Sequence, residues 1–362
     1  MFYNLFFAFY AQKHTFLIKN TKYIVLQKSC IFVRQNQHAM IRKIYLLIII
    51  ASLFSCKQQA KPLTSNESTV DVPVFSSDSA FQFIQRQVDF GPRVPNTPAH
   101  KACAEYLTAS LRSFGAEVTG QKVKLTAFNG DVLDAVNIIG SFNPGSSQRI
   151  LLFAHWDSRP WSDHDIDLKN YNKPVLGAND GASGVGVLLE IARQIGLQSP
   201  RLGVDIIFFD AEDYGAPENY RGNATDSWCL GSQYWAKNPH VQGYQAKFGI
   251  LLDMVGAKGS KFYREQISDY YARNVVDKIW NTAANLGFDK YFINRSGGSV
   301  TDDHLYVNQI AGIPSANIIQ YDPQSDKGFG DYWHTVNDTM SNIDKETLFA
   351  VGTTVLHVVY NE

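Results

Sequence analysis

Acidic residues are missing from the first 56 positions of this 362-residue sequence, which carry Lys13, Lys19, Lys22, Lys28, Arg34, Arg42 and Lys43. Removing those seven from the 33 Lys and Arg leaves 26 against 34 Asp and Glu in residues 57–362, a net charge of −8 where the whole chain sums to −1. A body without basic excess lacks the electrostatic footprint of a general nucleic-acid binder, so no nucleic-acid partner is expected. A membrane-spanning run is absent too: the apolar stretch Ile44–Leu53 is about half of the roughly 20 residues that a spanning helix needs. Cysteine is scarce, with four in all. Cys103 and Cys229 are the two in the body, and one pair is no disulfide framework, so two buried thiols are expected. No internal repeat is visible. What is present is a composition of 45% apolar and 19% charged residues, which excludes a disordered or collagen-like chain. A body of roughly 300 residues is large enough to bury a substantial core as one α/β domain or two smaller ones.

The N-terminal segment reads in two ways. From Met1 it is aromatic-rich and broken by polar residues. From Met40 it has the order of an export signal: Arg42 and Lys43, then Ile44 to Leu53, then Ser55-Cys56. Leu53-Phe54-Ser55-Cys56 resembles the bacterial lipobox, in which the Cys is acylated and becomes the mature N-terminus, although Phe54 is bulkier than the usual residue there. Residues 1–39 are therefore expected to be upstream sequence that the native protein lacks, and 40–55 a lipoprotein-type signal peptide. Residues 56–78, rich in Ser, Thr, Asn, Gln and Pro, are expected to be the lipidated Cys56 and a solvated tether. The folded body is expected over 79–362. The location implied is the bacterial cell envelope, anchored by lipid and facing the periplasm or the outside.

The body alternates strands with helices, which predicts an α/β single domain: an open, mixed, mostly parallel twisted sheet with helices on both faces. Strands are expected at Ile150–Ala154, Val204–Phe209, Phe248–Met254 and Ser315–Ile319, runs apolar enough for central strands covered on both sides. Helices are expected at Phe81–Gln87, Ala99–Phe114, Ala182–Gln194, Gly231–Lys237, Tyr270–Leu286 and Lys345–Val359. Gly181, Gly184 and Gly186 fall where a loop turns into a helix, and residues 211–228 read as loop.

Polar residues recur at the ends of these strands, where open α/β sheets place their sites. His155-Trp156-Asp157 follows the first, Asp180 opens the helix after it, Asp210-Ala211-Glu212-Asp213 follows the second, and Asp253 ends the third. Thr301-Asp302-Asp303-His304 and Trp333-His334-Thr335 come later. Any one of these has a plain reading: a helix-start acid, a solvated pair, a packed Trp. Six in order point to zinc, which accepts carboxylate oxygen and imidazole nitrogen and keeps a position open in catalytic sites. Adjacent Glu212 and Asp213 point in different directions, so one can ligate while the other serves as acid and base. His164, among Asp163, Asp165 and Asp167, fits no calcium loop, and that segment is expected to be a solvated acidic loop.

The ordered set His-x-Asp, Asn-Asp-Gly-Ala-Ser-Gly, Glu-Asp, Leu-Asp-Met and His-Thr resembles the zinc aminopeptidase-like exopeptidases over about residues 80–360. Within them, Trp333-His334-Thr335 and Thr301–His304 are similar to the glutaminyl cyclases of the animal type. The resemblance implies a zinc-exopeptidase-like fold and one zinc per chain held by Asp180, Asp213 and His334, with Asp213 where many relatives have Glu. It implies Glu212 as general base and acid, Asp253 and Asp302 as a carboxylate network around it, and Trp333 against the substrate. Trp228 stands in for an aromatic wall that Gly215–Asn219 lacks. His155 and Asp253 match the second-metal ligands of the aminopeptidases, a vestigial second site in a cyclase. Thr301 receives no role and His304 a structural one. The implied activity is cyclisation of N-terminal glutamine of peptides or proteins to pyroglutamate with release of ammonia, by a monomer. The alternative is a two-zinc aminopeptidase, since the same residues complete that set. One prediction follows from the N-terminal reading alone: N-terminal peptide mapping of the native protein is expected to find a lipidated Cys56 first, and recovery of residues 1–39 would sink that reading.

Overall fold

The computed structural model describes residues 71–362. The expected upstream segment, the signal peptide, Cys56 and the tether as far as residue 70 lie outside the described residues. The remainder of the expected tether is packed. Phe75 is 3% exposed within the main core. Helix α1 (Ser77–Val88) starts just after it, with Ser76 Oγ accepting the Ser79 amide at 3.2 Å. Ser76-Ser77-Asp78-Ser79 looks like linker by composition but works as a helix start, because Ser and Asp satisfy first-turn amides and favour the positive helix end.

Eight strands follow: β1 (Glu117–Thr126), β2 (Val132–Phe142), β3 (Arg149–His155), β4 (Gly203–Phe209), β5 (Gly249–Asp253), β6 (Phe262–Arg264), β7 (Phe292–Ser296) and β8 (Ser315–Ile319). Six form one sheet in the order β1-β2-β4-β3-β5-β8, and β6 pairs with β7 separately. β4, β3, β5 and β8 run parallel, while β1 and β2 are antiparallel at one edge. The remaining helices are α2 (Pro98–Ser113), α3 (Ala182–Leu197), α4 (Leu230–Lys237), α5 (Gln266–Asn285), α6 (Asp303–Gln309) and α7 (Lys345–Tyr360).

Period-two geometry explains why the central strands are uninterrupted apolar runs. Ile150, Leu152, Val204, Ile206, Ile250 and Leu252 face the core shared with α1, α2, α3, α5 and α7. Their neighbours Leu151, Phe153, Ile207, Phe209 and Leu251 face a second core built with Trp235 of α4 and Val307 of α6. A polar exception lies within β4. Asp205, fully buried, accepts from Ser141 of β2 at 2.6 Å, from Arg149 of β3 at 2.6 and 2.7 Å, and from Tyr244 at 2.7 Å.

Helix α3 is buried almost all round. It lies so close to β5 that a Cβ at Gly184 would collide with the Leu252 carbonyl oxygen, which fixes Asp180 and its neighbours against the ends of β3 and β5. The parallel strands all end at one edge, at His155, Phe209, Asp253 and Ile319. β3 connects to β4 through α3 on one face, and β4 to β5 through α4 on the other, the arrangement that opens a crevice at strand ends.

The burial of Phe75 has a measurable consequence. Phe75→Ala in the full chain is expected to lower the unfolding free energy by about 3 kcal/mol through the cavity it leaves, while Val74→Ala, at a position 80% exposed, leaves it unchanged. Equal urea midpoints for the two variants would return the start of the folded body to residue 79.

Candidate metal centre and active-site cleft

Each strand end delivers a side chain to one cleft. A cavity of about 280 Å³ is lined by Asp180, Glu212, Asp213, Trp228, Asp253, Asp302, Trp333 and His334. His155 lies just beneath it, 1% exposed. The structure thus brings together the catalytic, substrate-binding and metal-ligand candidates read from the sequence; Cys56 lies outside the described residues.

Two groups of possible ligands share Asp180. His334 Nε2 is 3.5 Å from Asp180 Oδ2 and 3.3 Å from Asp213 Oδ1. His155 Nε2 is 3.0 Å from Asp180 Oδ1 and 3.3 Å from Asp253 Oδ1. Within each trio the ligand atoms lie within 4.8 Å of one another. Burial and the Asp180 charge push Asp213 above the usual carboxylate range. Burial opposes ionisation of Asp180 as well, yet the hydrogen bonds from His155 and His334 outweigh it and hold that carboxyl well down. Two buried carboxylates facing one imidazole repel each other unless a cation lies between them. Two carboxylate oxygens and one imidazole nitrogen are a donor set that suits zinc, so these residues fit the metal.

The loops around the cleft are anchored by further acids, of which Asp157 and Asp338 had no expected role. Asp157 accepts the Glu212 and Asp213 amides, both at 3.1 Å. Asp338 accepts the Asn179 and Asp180 amides at 2.9 and 3.0 Å. Asp302 caps α6, accepting the Asp303 amide at 2.6 Å and Asn317 Nδ2 at 2.7 Å. A Cβ at Gly181 would stand 2.6 Å from the His155 ring, so only glycine lets the chain after Asp180 pass there. Ala211, Met254 and His334 all adopt left-handed backbone, with φ of 54°, 48° and 54°. Such positions mark places where surrounding structure overrides local preference, and here all three adjoin the cleft.

Glu212 faces the opening between the metal candidates and Asp302. Burial pushes its carboxyl well above the ordinary value; His155 opposes this, and Asp213, Asp302 and Asp303 reinforce it. Burial together with the Asp302 charge raises Asp253 to about 7. Asp253 is therefore a group that can hold or release a proton near neutrality, and burial makes Glu212 hold its proton more tightly than an ordinary carboxyl does.

Two tryptophans flank His334. Trp333 stacks on it at 3.7 Å between ring centroids, and Trp228 lies 5.9 Å away with its plane within 8°. Trp228 thus forms a wall of the cleft. It also faces Arg159, whose guanidinium is 4.6 Å from its ring.

The expected solvated loop around His164 is exposed at 166–169, but Asp163 and His164 turn into the cleft instead. Asp163 is 4% exposed and receives Arg159 through two bonds of 2.6 Å. It stands 3.7 Å from His334 Nδ1, and Arg159 reaches Asp213 Oδ1 at 3.4 Å. His164 lies against Trp333, 4.4 Å between ring centroids and tilted by 43°, and burial pushes its pKa down to about 4. The segment folds over the cleft because a buried guanidinium needs a carboxylate. The spacing of Arg159 and Asp163, four residues apart, was the one available sign. His304 pairs with Glu265 at 2.9 Å, and Cys103 and Cys229 are unpaired buried thiols.

Known proteins share this arrangement. A zinc-dependent exopeptidase from Parabacteroides distasonis is 59% identical, with a TM-score of 0.80, covering 80% of this chain and 100% of its own. A glutaminyl cyclase from Tannerella forsythia is 59% identical with a TM-score of 0.79 over the same shares. Among curated proteins, an aminopeptidase of Bacillus subtilis is 29% identical over 74% of this chain, and the bovine glutaminyl-peptide cyclotransferase 26% identical over 59%. This chain spans 54% and 62% of the length of those two relatives. Residues 137–359, more than half of the chain, match Peptidase family M28, and the chain belongs to that family.

Proposed function

We propose that this protein is a glutaminyl-peptide cyclotransferase, converting N-terminal glutamine of peptides or proteins to pyroglutamate with release of ammonia. The observation that carries the reading is the placement of Glu212, a carboxyl held near its proton by burial, beside the Asp180–Asp213–His334 group in a cleft walled by Trp333 and Trp228. The 59% identity to the Tannerella cyclase across that protein's full chain supports it.

Asp180, Asp213 and His334 would hold one zinc, which when bound would polarise the γ-amide carbonyl as a Lewis acid and offset charge developing on its oxygen. The indole of Trp333 offers a flat apolar face to the glutamine side chain and keeps its carbon chain folded toward the α-amine. Glu212 takes a proton from the α-ammonium group, so that the freed amine attacks the carbonyl carbon of the side-chain amide, Cδ, and closes a five-membered lactam. The same carboxyl then delivers a proton to the departing nitrogen, which leaves as ammonia. Asp302, buried beside Glu212, raises its affinity for that proton together with Asp213 and Asp303. Holding amine and amide in one cleft removes much of the entropic barrier to ring closure.

A second reading, a two-zinc aminopeptidase, is favoured by the convergence of His155, Asp180 and Asp253. A lipid anchor at Cys56, a bacterial envelope location and a monomeric state belong to the proposal as well.

Elemental analysis of the purified full chain is expected to find one zinc, lost in His334→Ala, together with ammonia release from a Gln-initiated peptide. Two zincs, cleavage of a Leu-initiated peptide and no ammonia would establish the aminopeptidase instead. Glu212→Gln is expected to lower kcat for ammonia release by about 10²–10⁴-fold with zinc retained; loss of the metal in that variant would mean that Glu212 is a ligand and not the base.

A further inference from the structure

We propose that Cys229 is a positioning residue for Glu212, its thiol donating a hydrogen bond to one oxygen of that carboxylate and holding it in the orientation from which it moves a proton. The inference rests on the reading of Glu212 as the base. Cys229 Sγ lies 3.1 Å from Glu212 Oε1. Among the described residues this is the one hydrogen bond to the Glu212 carboxylate: His155 Nδ1, the nearest imidazole nitrogen, stands 4.0 Å from Oε2. A carboxylate on a flexible side chain, with a single donor on one oxygen, keeps the other free for proton transfer.

The backbone is built around the same contact. The Cys229 amide donates to the Glu212 carbonyl at 2.9 Å, and the Leu230 amide to the Ala211 carbonyl at 3.1 Å. These bonds fold the start of α4 back onto the chain that leaves β4, so residues 17 apart in sequence face each other. Cys229 reaches this position in left-handed backbone, φ 58° and ψ 36°, and is fully buried. A non-glycine residue in that conformation is held by its surroundings and marks a place where local preference has been overridden. Its own carbonyl accepts Ser232 Oγ at 3.1 Å, which pins the cysteine from behind. Buried among Glu212, Asp303 and Asp302, the sulfur keeps its proton and so faces the carboxylate as a donor.

A thiol suits the task. It is a weak donor, so it orients the carboxylate while withdrawing little of its basicity, where a strong donor would favour the ionised form and blunt the base. The long C–S bonds also let it span a gap that a hydroxyl bridges less closely.

Three full-length proteins test this: the parent, Cys229→Ala and Cys229→Ser. The alanine variant is expected to lose about tenfold in kcat, the scale of one hydrogen bond to a charged group, and the serine variant to stay within about threefold of the parent. KM and zinc content are expected to be unchanged in both. A structural role would instead lower stability or metal content and leave the two variants equally impaired. An infrared difference spectrum between the parent and Cys229→Ser isolates the Cys229 S–H stretch, in a region free of other protein bands. That stretch is expected to move to higher frequency in Glu212→Ala, where the acceptor is gone. An unmoved band, or an alanine variant with the parent's kcat, would overturn the proposal. Full ammonia release by Glu212→Gln would overturn the base assignment and this role with it. The infrared band would still report whether the hydrogen bond exists, so the two failures are told apart.

Discussion

Like charge packed into a dry place is the constraint on which this structure turns. Asp157, Asp180, Asp210, Glu212, Asp213, Asp253, Asp302 and Asp338 are all buried near the ends of the parallel strands, where loss of water and neighbouring like charge demand compensating partners. The outer members are satisfied by the fold itself. Asp157 and Asp338 each gather two backbone amides. Asp210 takes His100 at 2.9 Å and the Val136 amide at 2.7 Å, while Asp302 takes an amide and an asparagine. In meeting those needs the acids fasten the strand-end loops to one another. The inner members, Asp180, Asp213, Glu212 and Asp253, have two imidazoles between them and face the opening. Those four carboxyls thus meet at a cleft that a cation and a protonated amine can enter.

The same residues account for why two chemistries sit close together on this scaffold. Asp180 turns one oxygen toward His334 and the other toward His155, so both ligand groups hang on a single side chain. Which of them holds metal depends on small differences in charge and packing around that carboxylate. Ligand identity alone therefore reads equally well as one centre or two. Trp333 and Trp228 stand beside His334 and line the same cleft.

How far the sequence reveals this architecture depends on where the burial lies. β3, β4, β5 and β8 were legible because both of their faces are covered, and uninterrupted apolar runs say so. β1 was not, since no residue of it is buried and its edge position leaves it without an apolar signature; β2, which mixes Asp134, Asn137 and Ser141 into its run, was missed with it. α6 is a single short helix whose first residues, Asp302 and Asp303, look like loop. Among the site residues, those at strand ends stood out because acids and histidines after apolar runs are conspicuous. Arg159, Asp163 and His164 did not, because their burial comes from a loop that closes over the cleft through contacts distant in sequence. Cys229 was readable as a buried thiol, but its bond to Glu212 requires a backbone reversal that no local pattern announces.

Asp205 bears on how the chain finds this arrangement at all. A sheet apolar on both faces has no hydrophobic cue to its alignment, since a strand displaced by one residue still buries greasy side chains on either side. A carboxylate in the middle of β4 changes that. It meets Ser141 on one neighbouring strand and Arg149 on the other in a single alignment, and any slip strands a buried charge. The ion pair therefore acts as a selector of registry, set toward the starting end of the strands and away from all chemistry. Because parallel strands in register end together, a choice made at Asp205 decides whether His155 at the end of β3 and Glu212 after β4 arrive at the same level.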